Sequence, residues 1–589
     1  MSLFRSDPVA QPLAARVTDL RQRVRDEAAR PDPDFRPLAA EVESLQYDAL
    51  VRRNPLLACG QLLFVKRLTY RTGWYYSEFM QAGRAGGNLC VLSLADGQVR
   101  DLLPDWTGAI FDRYDLSFDG RRIVFGCRRA PDQAFRLYEV GVDGQGLRQL
   151  TSDPPEEAER LASYGLTPGV NELGPYRKHT DDFHPCYLPD GGICFASSRC
   201  ERGVLCDVAD HLSVNVLYRV DGDGGRMTVL SNGALSESTP AMMNDGRILY
   251  TRWEYVDKGV IAAQDLWAMR PDGSASSEVY GGHHEFPPVL IHGRPIPGRH
   301  GQFVCTATMH HPFAVGPILK IDTRRDIRTL RPIQNLTPDT GLSVEGEPGF
   351  PVGESYTHLR DGVWVKDNRG PLFCDPYPLS DKFFLVTCNP DQPWNHETAY
   401  GLWLIDEFGN RVRIYDDPEI SCWQPMPLRS RPVPAVLPPQ SAPPGPGGPA
   451  NARPPEHLSL PAAPAQDSSA TLVLSNVYDG LEGVEPGEIR YLRIWEQVPR
   501  PWTAHRFWPD DATLGQNAVI SMYAHIYVRV LHGIVPVEAD GSAHFQVPAD
   551  RNLFLQAVDK DFLEVQRMRT FVNLRPGESR SCIGCHEPR

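Results

Sequence analysis

The sequence predicts a mainly β protein, with a short helical N-terminal segment, a six-bladed β-propeller and a small β-sandwich-like domain that ends in a Cys-x-x-Cys-His motif. Three observations favour this fold class. The 50 Gly and 54 Pro of the chain indicate many turns between short strands. The centre of the chain repeats a pattern of turns and strands with a period of about 40 to 60 residues, the range of propeller blades. A Pro-rich segment then separates these repeats from a second β-rich part.

The first segment, residues 1–54, is predicted to be helical. Leu13, Val17 and Leu20 follow helical spacing, and arginines occupy the other faces. A second short helix is expected to begin near Pro37, because proline suits the first turn of a helix. The basic face is interpreted as a solvated face, with a membrane-surface role as the alternative.

The second segment, residues 55–434, carries the repeat. An Asp-Gly turn precedes an apolar strand, and an aromatic-rich strand follows; Asp119-Gly120, Asp190-Gly191 and Asp245-Gly246 begin the three clearest copies. Each copy is a small antiparallel sheet that cannot bury both faces alone, so stacking around an axis would supply the core. Six copies predict a six-bladed propeller. The repeats resemble the PD40/TolB type more than the WD40 type, since no Gly-His…Trp-Asp pattern is present.

A Pro-rich linker is predicted over residues 431–470, because its composition favours a flexible or partly extended chain. The domain that follows, residues 471–589, contains five candidate strands. These are Thr471–Val477, Ile489–Glu496, His525–Leu531, Gly541–Val547 and Leu553–Val558. The stretch Val535–Phe545 is predicted to be a hairpin with Asp540-Gly541 as its turn.

Composition excludes some classes of protein. The net charge of −14, without a basic stripe, argues against nucleic acid as a partner. The sequence contains no run of about 18 apolar residues, so no transmembrane helix is predicted. Among the 13 Cys, those within apolar strand patterns are interpreted as buried free thiols.

The strongest chemical motif lies at Cys582, Cys585 and His586, where Cys-x-x-Cys-His is the attachment signature of haem c. Two thiols would add to the haem vinyl groups, and the adjacent histidine would ligate the iron. Two alternatives remain open: part of a zinc site that needs further ligands, or a disulfide or unused motif.

Other histidines and cysteines are candidate ligands. His310 and His311 follow an apolar strand. Adjacent side chains on a strand point to opposite faces, so the pair does not by itself form a metal chelate. A metal-ligating role for one of them and an ordinary structural role remain alternatives. Cys200 and Cys206 could close a disulfide loop in an exported protein, or remain thiols. The candidates for a second axial haem ligand are His505, His525, His532 and His544, and a second histidine pair stands at His283-His284.

Six segments of the C-terminal part form a recognisable pattern: Val477–Val484, Ile489–Ile494, Val535–Glu538, Asp540–Ala543, Pro576–Glu578 and Cys582–Glu587. Together they resemble the hydrazine synthase alpha subunit-related family. The resemblance is strongest over about residues 471–589 and extends more loosely over the propeller, including the strand at Asn215–Asp221.

This resemblance implies a propeller joined to a haem-bearing domain in an exported protein. In that family the motif histidine binds zinc together with a propeller cysteine, which implies His586 and Cys305 as zinc ligands here. The tyrosine that ligates the iron in that family would lie beyond Arg589. Hydrazine synthesis stays an analogy, because kinship of fold does not transfer a reaction.

Two functions from different classes follow. The first is a haem c redox protein for electron transfer or small nitrogen-compound chemistry, with partner subunits or an electron-transfer partner. The second is an exported binding scaffold whose motif is empty or holds zinc. Covalent haem attachment implies a periplasmic or other extracytoplasmic location, although residues 1–54 contain no apolar signal-peptide core.

Overall fold

The fold was analysed in a computed structural model. It describes residues 10–69, 84–130, 133–163, 179–205, 213–255, 263–284, 286–309, 314–340, 357–360, 363–366, 371–394, 396–441, 469–502 and 528–584. Strands in mostly antiparallel sheets are the main regular structure of these residues, as the sequence predicts. No helix in the described part of the chain is long and apolar enough to cross a membrane.

Two helices form the N-terminal segment, α1 (Ala10–Ala28) and α2 (Arg36–Tyr47). Their apolar faces meet around Leu20 and Leu38, and Arg23 donates two hydrogen bonds of 2.7 Å to the carboxylate of Glu41. A π-helical turn (Asp48–Arg52) and a 3-10 turn (Pro55–Leu57) lead from α2 into the sheets, and a further short helix, α3, spans Glu157–Ser163.

Four-stranded antiparallel units make up the central part. Four of them are separate sheets, and an eight-stranded sheet contains two more, joined by one parallel pair at Gln264 and Val289. The first unit contains β27 (Cys422–Pro427), β1 (Gln61–Lys66), β2 (Asn88–Ser93) and β3 (Val99–Asp101), and the second contains β4 (Ile110–Leu116), β5 (Arg122–Arg128), β6 (Arg136–Gly141) and β7 (Arg148–Gln149). The third unit contains β8 (Asp182–Tyr187), β9 (Ile193–Ser197), β11 (Val216–Val220) and β12 (Met227–Val229), and the fourth contains β13 (Glu237–Met242), β14 (Ile248–Trp253), β15 (Gln264–Met269) and β16 (Ser277–Tyr280). The fifth unit contains β17 (Val289–Pro295), β18 (Gln302–Thr308), β19 (Ile318–Asp322) and β20 (Ile333–Asn335), and the sixth contains β23 (Leu372–Pro378), β24 (Phe383–Asn389), β25 (Gly401–Asp406) and β26 (Arg411–Tyr415). Outside these units lie β10 (Arg202–Gly203) and a hairpin of β21 (Thr357–Arg360) and β22 (Val363–Lys366).

The innermost strands of the units, which are β27, β4, β8, β13, β17 and β23, form a closed ring. Strand β27, from the end of this region, pairs with β1 from its beginning and so completes the first unit. Tyr114 on β4 and Gln424 on β27 close the remaining gap, because the Gln424 amide donates to the Tyr114 carbonyl (2.8 Å) and the Tyr114 hydroxyl donates to the Gln424 carbonyl (2.6 Å). Apolar clusters fill the spaces between neighbouring units; one of them joins Leu63, Phe111 and Met426. This topology is consistent with the predicted β-propeller.

The C-terminal part consists of two sheets that share one apolar core, which includes Leu472, Ile494 and Phe545. Their strands are β28 (Ser469–Leu474), β29 (Tyr491–Val498), β31 (Val528–Pro536), β32 (Ala543–Pro548), β33 (Leu553–Val558), β34 (Glu564–Arg567) and β35 (Ser579–Cys582). One sheet has the strand order β32-β28-β35 and the other β31-β29-β33-β34. A further short strand, β30 (Arg500–Pro501), lies outside both sheets.

The predicted hairpin at Val535–Phe545 is wrong as a strand pair. The turn itself forms, since the amide of Gly541 donates to the Glu538 carbonyl at 2.9 Å and Gly541 has a φ of +85°. However, β31 pairs with β29 and β32 pairs with β28. The chain therefore crosses from one sheet to the other at this turn, so that both strands can cover the shared core.

The first part of the Pro-rich segment, residues 431–441, is extended and anchored to the ring; we call it the strap. Arg431 donates to Asp115 at 2.7 Å, in the second unit. At the other end, the amides of Gln440 and Ser441 donate to Asp272 at 2.7 and 3.0 Å, in the fourth unit. Of the two conformations that the composition left open, the strap thus adopts the extended one.

Candidate functional site

The Cys-x-x-Cys-His motif begins at the end of strand β35. This strand runs parallel to β28, and Cys582 stands in register with Leu474. The side chain of Cys582 is half-buried and packs against the core of the C-terminal sheets. The first thiol of the motif is therefore held on a regular strand, at the edge of a packed core.

The residues after Cys582 are fixed against the loop that follows β28. The amide of Ser475 donates to the Cys582 carbonyl at 2.9 Å, and the amide of Asn476 donates to the Ile583 carbonyl at 3.1 Å. Gly584 lies so close to the same loop that an added Cβ would stand 2.5 Å from the carbonyl oxygen of Asp479. The approach of these two backbones requires glycine at this position.

Two of the three predicted haem residues, Cys585 and His586, lie outside the described residues, as do His310 and His311. Cys305 lies inside the protein, in the middle of β18, and is completely buried. Burial raises the pKa of its thiol well above the usual range, which disfavours the thiolate that zinc requires. Within the described ranges, no group of three His, Cys, Asp or Glu side chains is arranged to hold a metal.

The structure places two candidates for the second axial ligand. The Nε2 atom of His532 lies 2.7 Å from a carboxylate oxygen of Glu496, and His544 is exposed on β32. His505 and His525 lie outside the described residues, and so does Cys206, the proposed disulfide partner of Cys200.

The second histidine pair lies beside the fourth unit. His284 shares a hydrogen bond of 3.1 Å with the carbonyl of Ile327, and the half-exposed His283 lies 3.9 Å from Glu278.

The strand that carries the motif is also docked on the ring. Arg580 of β35 donates to the Ser276 carbonyl at 2.6 Å, and Glu578 accepts from the amide of Ala275 at 3.0 Å. Nearby, β30 pairs with β10, and the fully buried Trp502 donates from its indole to the Arg202 carbonyl at 2.8 Å. The third and fourth units of the ring therefore determine where the motif lies.

A buried ion network continues this contact. Arg252, which is 1% exposed, lies 3.2 Å from Glu254 and 3.8 Å from Glu237. Glu254 also accepts a hydrogen bond of 2.9 Å from the hydroxyl of Thr570, in the C-terminal part. Burial raises the pKa of the Glu237 carboxyl, and the Arg252 guanidinium opposes this effect.

Sequence reasoning missed a polar cluster at the centre of the ring, which we call the axial cluster. Every innermost strand has a β-bulge that turns a polar residue inward, and five of these residues have positive φ. The bulge residues are Asp112, His184, Thr239, His292, Asp375 and Gln424. A signal was present in the sequence: in four of the six strands the polar residue directly precedes proline, as in His184-Pro185 and Asp375-Pro376. Bulges are strand positions that tolerate proline.

The axial cluster joins residues from units that are not neighbours. Arg113 of the second unit lies 2.5 Å from Asp375 of the sixth, and His292 of the fifth lies 3.4 Å from the same carboxylate. The Nε2 atom of His184 lies 3.6 Å from Asp112, beyond hydrogen-bonding distance. Burial lowers the pKa of His184 to about 4 and the pKa of His292 well below its usual range. Both imidazoles are therefore neutral at pH 7.

Known proteins resemble this chain in sequence and in fold. The family model of the hydrazine synthase alpha subunit middle domain matches residues 487–587, which include the whole Cys-x-x-Cys-His motif. Hydrazine synthase subunit alpha of Kuenenia stuttgartiensis is 22% identical over 566 residues, which are 90% of this chain and 66% of that protein. Both comparisons support a hydrazine synthase alpha-related family for this chain.

Two solved structures are also similar to this chain. The structure of Kuenenia stuttgartiensis hydrazine synthase matches with a TM-score of 0.64 and 16% identity, over 90% of this chain and 69% of that chain. TolB from Acinetobacter baumannii matches more distantly, with a TM-score of 0.33 and 12% identity over 67% of this chain and 73% of that one. The chain spans less than two thirds of the length of the Kuenenia relative matched by sequence, 66%.

Proposed function

We propose that this chain is a redox protein that carries a covalent haem c at Cys582, Cys585 and His586, for electron transfer or small nitrogen-compound chemistry. In this proposal a six-bladed propeller is the scaffold, and the two C-terminal sheets form the haem-bearing domain. One observation carries the proposal: the family match covers the motif, and the motif begins on a strand that is fixed to both the C-terminal core and the ring.

The described residues of the motif fit a haem. Cys582 is half-buried at the end of β35, so its sulfur stands where the packed core meets the surface. Beside it, inside the motif, the apolar side chain of Ile583 is 60% exposed and would lie against the bound haem. Cys582 and Cys585 would form the thioethers, and His586 would ligate the iron.

The haem supplies one-electron chemistry when bound, and the residues of this chain would set its position and its exposure to solvent. The short approach between Gly584 and Asp479 would keep the motif against the surface of the domain. Covalent attachment places the mature protein outside the cytoplasm. The Kuenenia relative is named as a subunit, so we include partner subunits in the proposal.

Zinc is left out of this proposal. The family resemblance suggests Cys305 as a ligand, but that side chain is fully buried and its thiol is held protonated by burial. Zinc content that falls in Cys305→Ser, measured by elemental analysis, would restore that hypothesis.

The test is to express the chain together with a cytochrome c maturation system and to record the pyridine-haemochrome spectrum. We expect a thioether-haem band that is lost in Cys585→Ser and retained in Cys59→Ser, a control at a half-buried cysteine outside the motif. Colourless protein with both motif sulfurs unmodified by mass spectrometry would overturn the proposal. The alternative, an exported binding scaffold, would then remain.

A further inference from the structure

Charged side chains from several units meet near the centre of the ring. The described charged side chains there are four guanidinium groups and three carboxylates: Arg67, Arg113, Arg294 and Arg431, and Asp112, Asp115 and Asp375. Arg67, Arg113 and Asp375 all act electrostatically on His184, although these residues come from the first, second, sixth and third units. Charged groups from different units can all lie close to one side chain only if that side chain is near the axis of the ring. The described charges in and around the axial cluster, four positive and three negative, therefore sum to one positive charge.

Arg294 extends this positive region along the axis. It follows the bulge of β17, and its guanidinium lies 5.5 Å from the ring centroid of Tyr377 in the sixth unit. It also acts electrostatically on Tyr114 of the second unit and Cys186 of the third, two groups whose pKa values are raised mainly by burial. Arg294 also acts electrostatically on His292, so its charge lies close to the axial cluster.

His184 shows that this space is suited to a ligand. Its side chain is 8% exposed, and neither ring nitrogen has a hydrogen-bond partner in the part of the chain that the structure describes. A neutral imidazole always carries one N–H donor, and a buried donor needs an acceptor. The acceptor oxygen of Asp112 is too far from the ring to serve, at 3.6 Å.

We propose that the axial cluster binds a small monovalent oxyanion of the size of formate, with His184 and Arg294 as ligands. An oxyanion accepts hydrogen bonds from both an imidazole N–H and a guanidinium, and its charge balances the excess positive charge. A metal cation is disfavoured, because Arg113 already occupies Asp375 and the remaining guanidinium groups would repel it. This site is independent of the haem motif.

The test is to titrate sodium formate into the full chain at constant ionic strength, maintained with sodium chloride, and to follow both the heat of binding and the melting temperature. We expect saturable binding and a melting temperature that rises with formate concentration, because a ligand that binds only the folded state stabilises it. In Arg294→Met and in His184→Gln, the same rise should need at least about tenfold more formate. Each variant is compared with its own formate-free melting temperature, so that a loss of stability is not mistaken for a loss of binding.

Two further variants sharpen the result. Arg299→Met changes an exposed arginine after the same strand, paired with Asp381, and should respond to formate as the unmodified chain does. Asp112→Asn removes a negative charge from the cluster and should strengthen formate binding, which a merely structural role would not do. The proposal would be overturned if the unmodified chain did not bind formate saturably. It would also be overturned if Arg294→Met and His184→Gln bound formate as well as the unmodified chain does.

Discussion

At the scale of single residues, the Cys-x-x-Cys-His motif depends on a glycine that has no chemical role. Gly584 separates the two thiols and lies directly over the backbone of Asp479. A side chain at this position would push the second half of the motif away from the domain. The spacing of the two cysteines is readable from sequence, whereas this contact is visible only in the fold.

We therefore predict that Gly584→Ala reduces haem attachment and destabilises the C-terminal part by about 1–3 kcal/mol, the usual cost of overpacking. The new Cβ would meet the Asp479 carbonyl oxygen at 2.5 Å, so that the backbone must shift. Haem content per protein and urea unfolding would measure the two effects.

Gly533→Ala is the matched control, because among the described residues no atom beyond its chain neighbours lies within 4 Å of the added Cβ. Equal haem content and stability in the two variants would show that the Gly584 contact is unimportant.

At the scale of elements, the strap crosses the ring as a defined structural element, although its composition resembles that of a disordered linker. Arg431 donates to the buried carboxylate of Asp115 and to the Leu116 carbonyl, both at 2.7 Å, and stacks over Phe118. Proline keeps this segment extended and lowers the entropy lost on docking. Specific polar anchors, rather than apolar burial, hold the strap in place.

We predict that Arg431→Met destabilises the central part by about 3–5 kcal/mol, because it leaves the Asp115 charge buried without its cationic partner. The double variant Arg431→Met with Asp115→Asn should recover much of this loss. Urea unfolding followed by tryptophan fluorescence would give the free energies.

The control is Arg429→Met, a change at an exposed residue whose guanidinium donates only to the Leu56 carbonyl in the described part of the chain. If Arg431→Met and Arg429→Met were equally stable, the strap would not be anchored as described.

At the scale of the whole molecule, the C-terminal sheets are joined to the ring by strand pairing, a buried tryptophan and a buried ion network. Arg580 lies at the centre of this contact, since it binds the Ser276 carbonyl of the ring and Glu578 of its own sheet. Contacts of this kind couple the unfolding of two parts of a chain.

We predict that the protein unfolds in one transition, and that Arg580→Met separates it into two transitions in differential scanning calorimetry. The change removes the hydrogen bond of 2.6 Å that ties β35 to the fourth unit. Lys560→Met, at a residue whose side chain is 80% exposed, should keep the single transition. Two transitions already present in the unmodified chain would contradict this coupling.

The sequence by itself determined the mainly β class, the helical start, the repeated units and the position of the Cys-x-x-Cys-His motif. It could do so because each depends on local spacing: apolar periodicity, Asp-Gly turns, and two cysteines beside a histidine. The strand at Leu553–Val558 was predicted with its observed bounds for the same reason.

Only the tertiary structure decided which distant residues meet. The pairing of β31 and β32 in different sheets, the docking of Arg431 on Asp115 and the axial cluster all join residues far apart in the chain. His184 and Asp375 are ordinary polar residues in the sequence, and they become a buried cluster because a ring of sheets turns its bulges toward one axis. No local pattern records that geometry, since it arises from packing the units against one another.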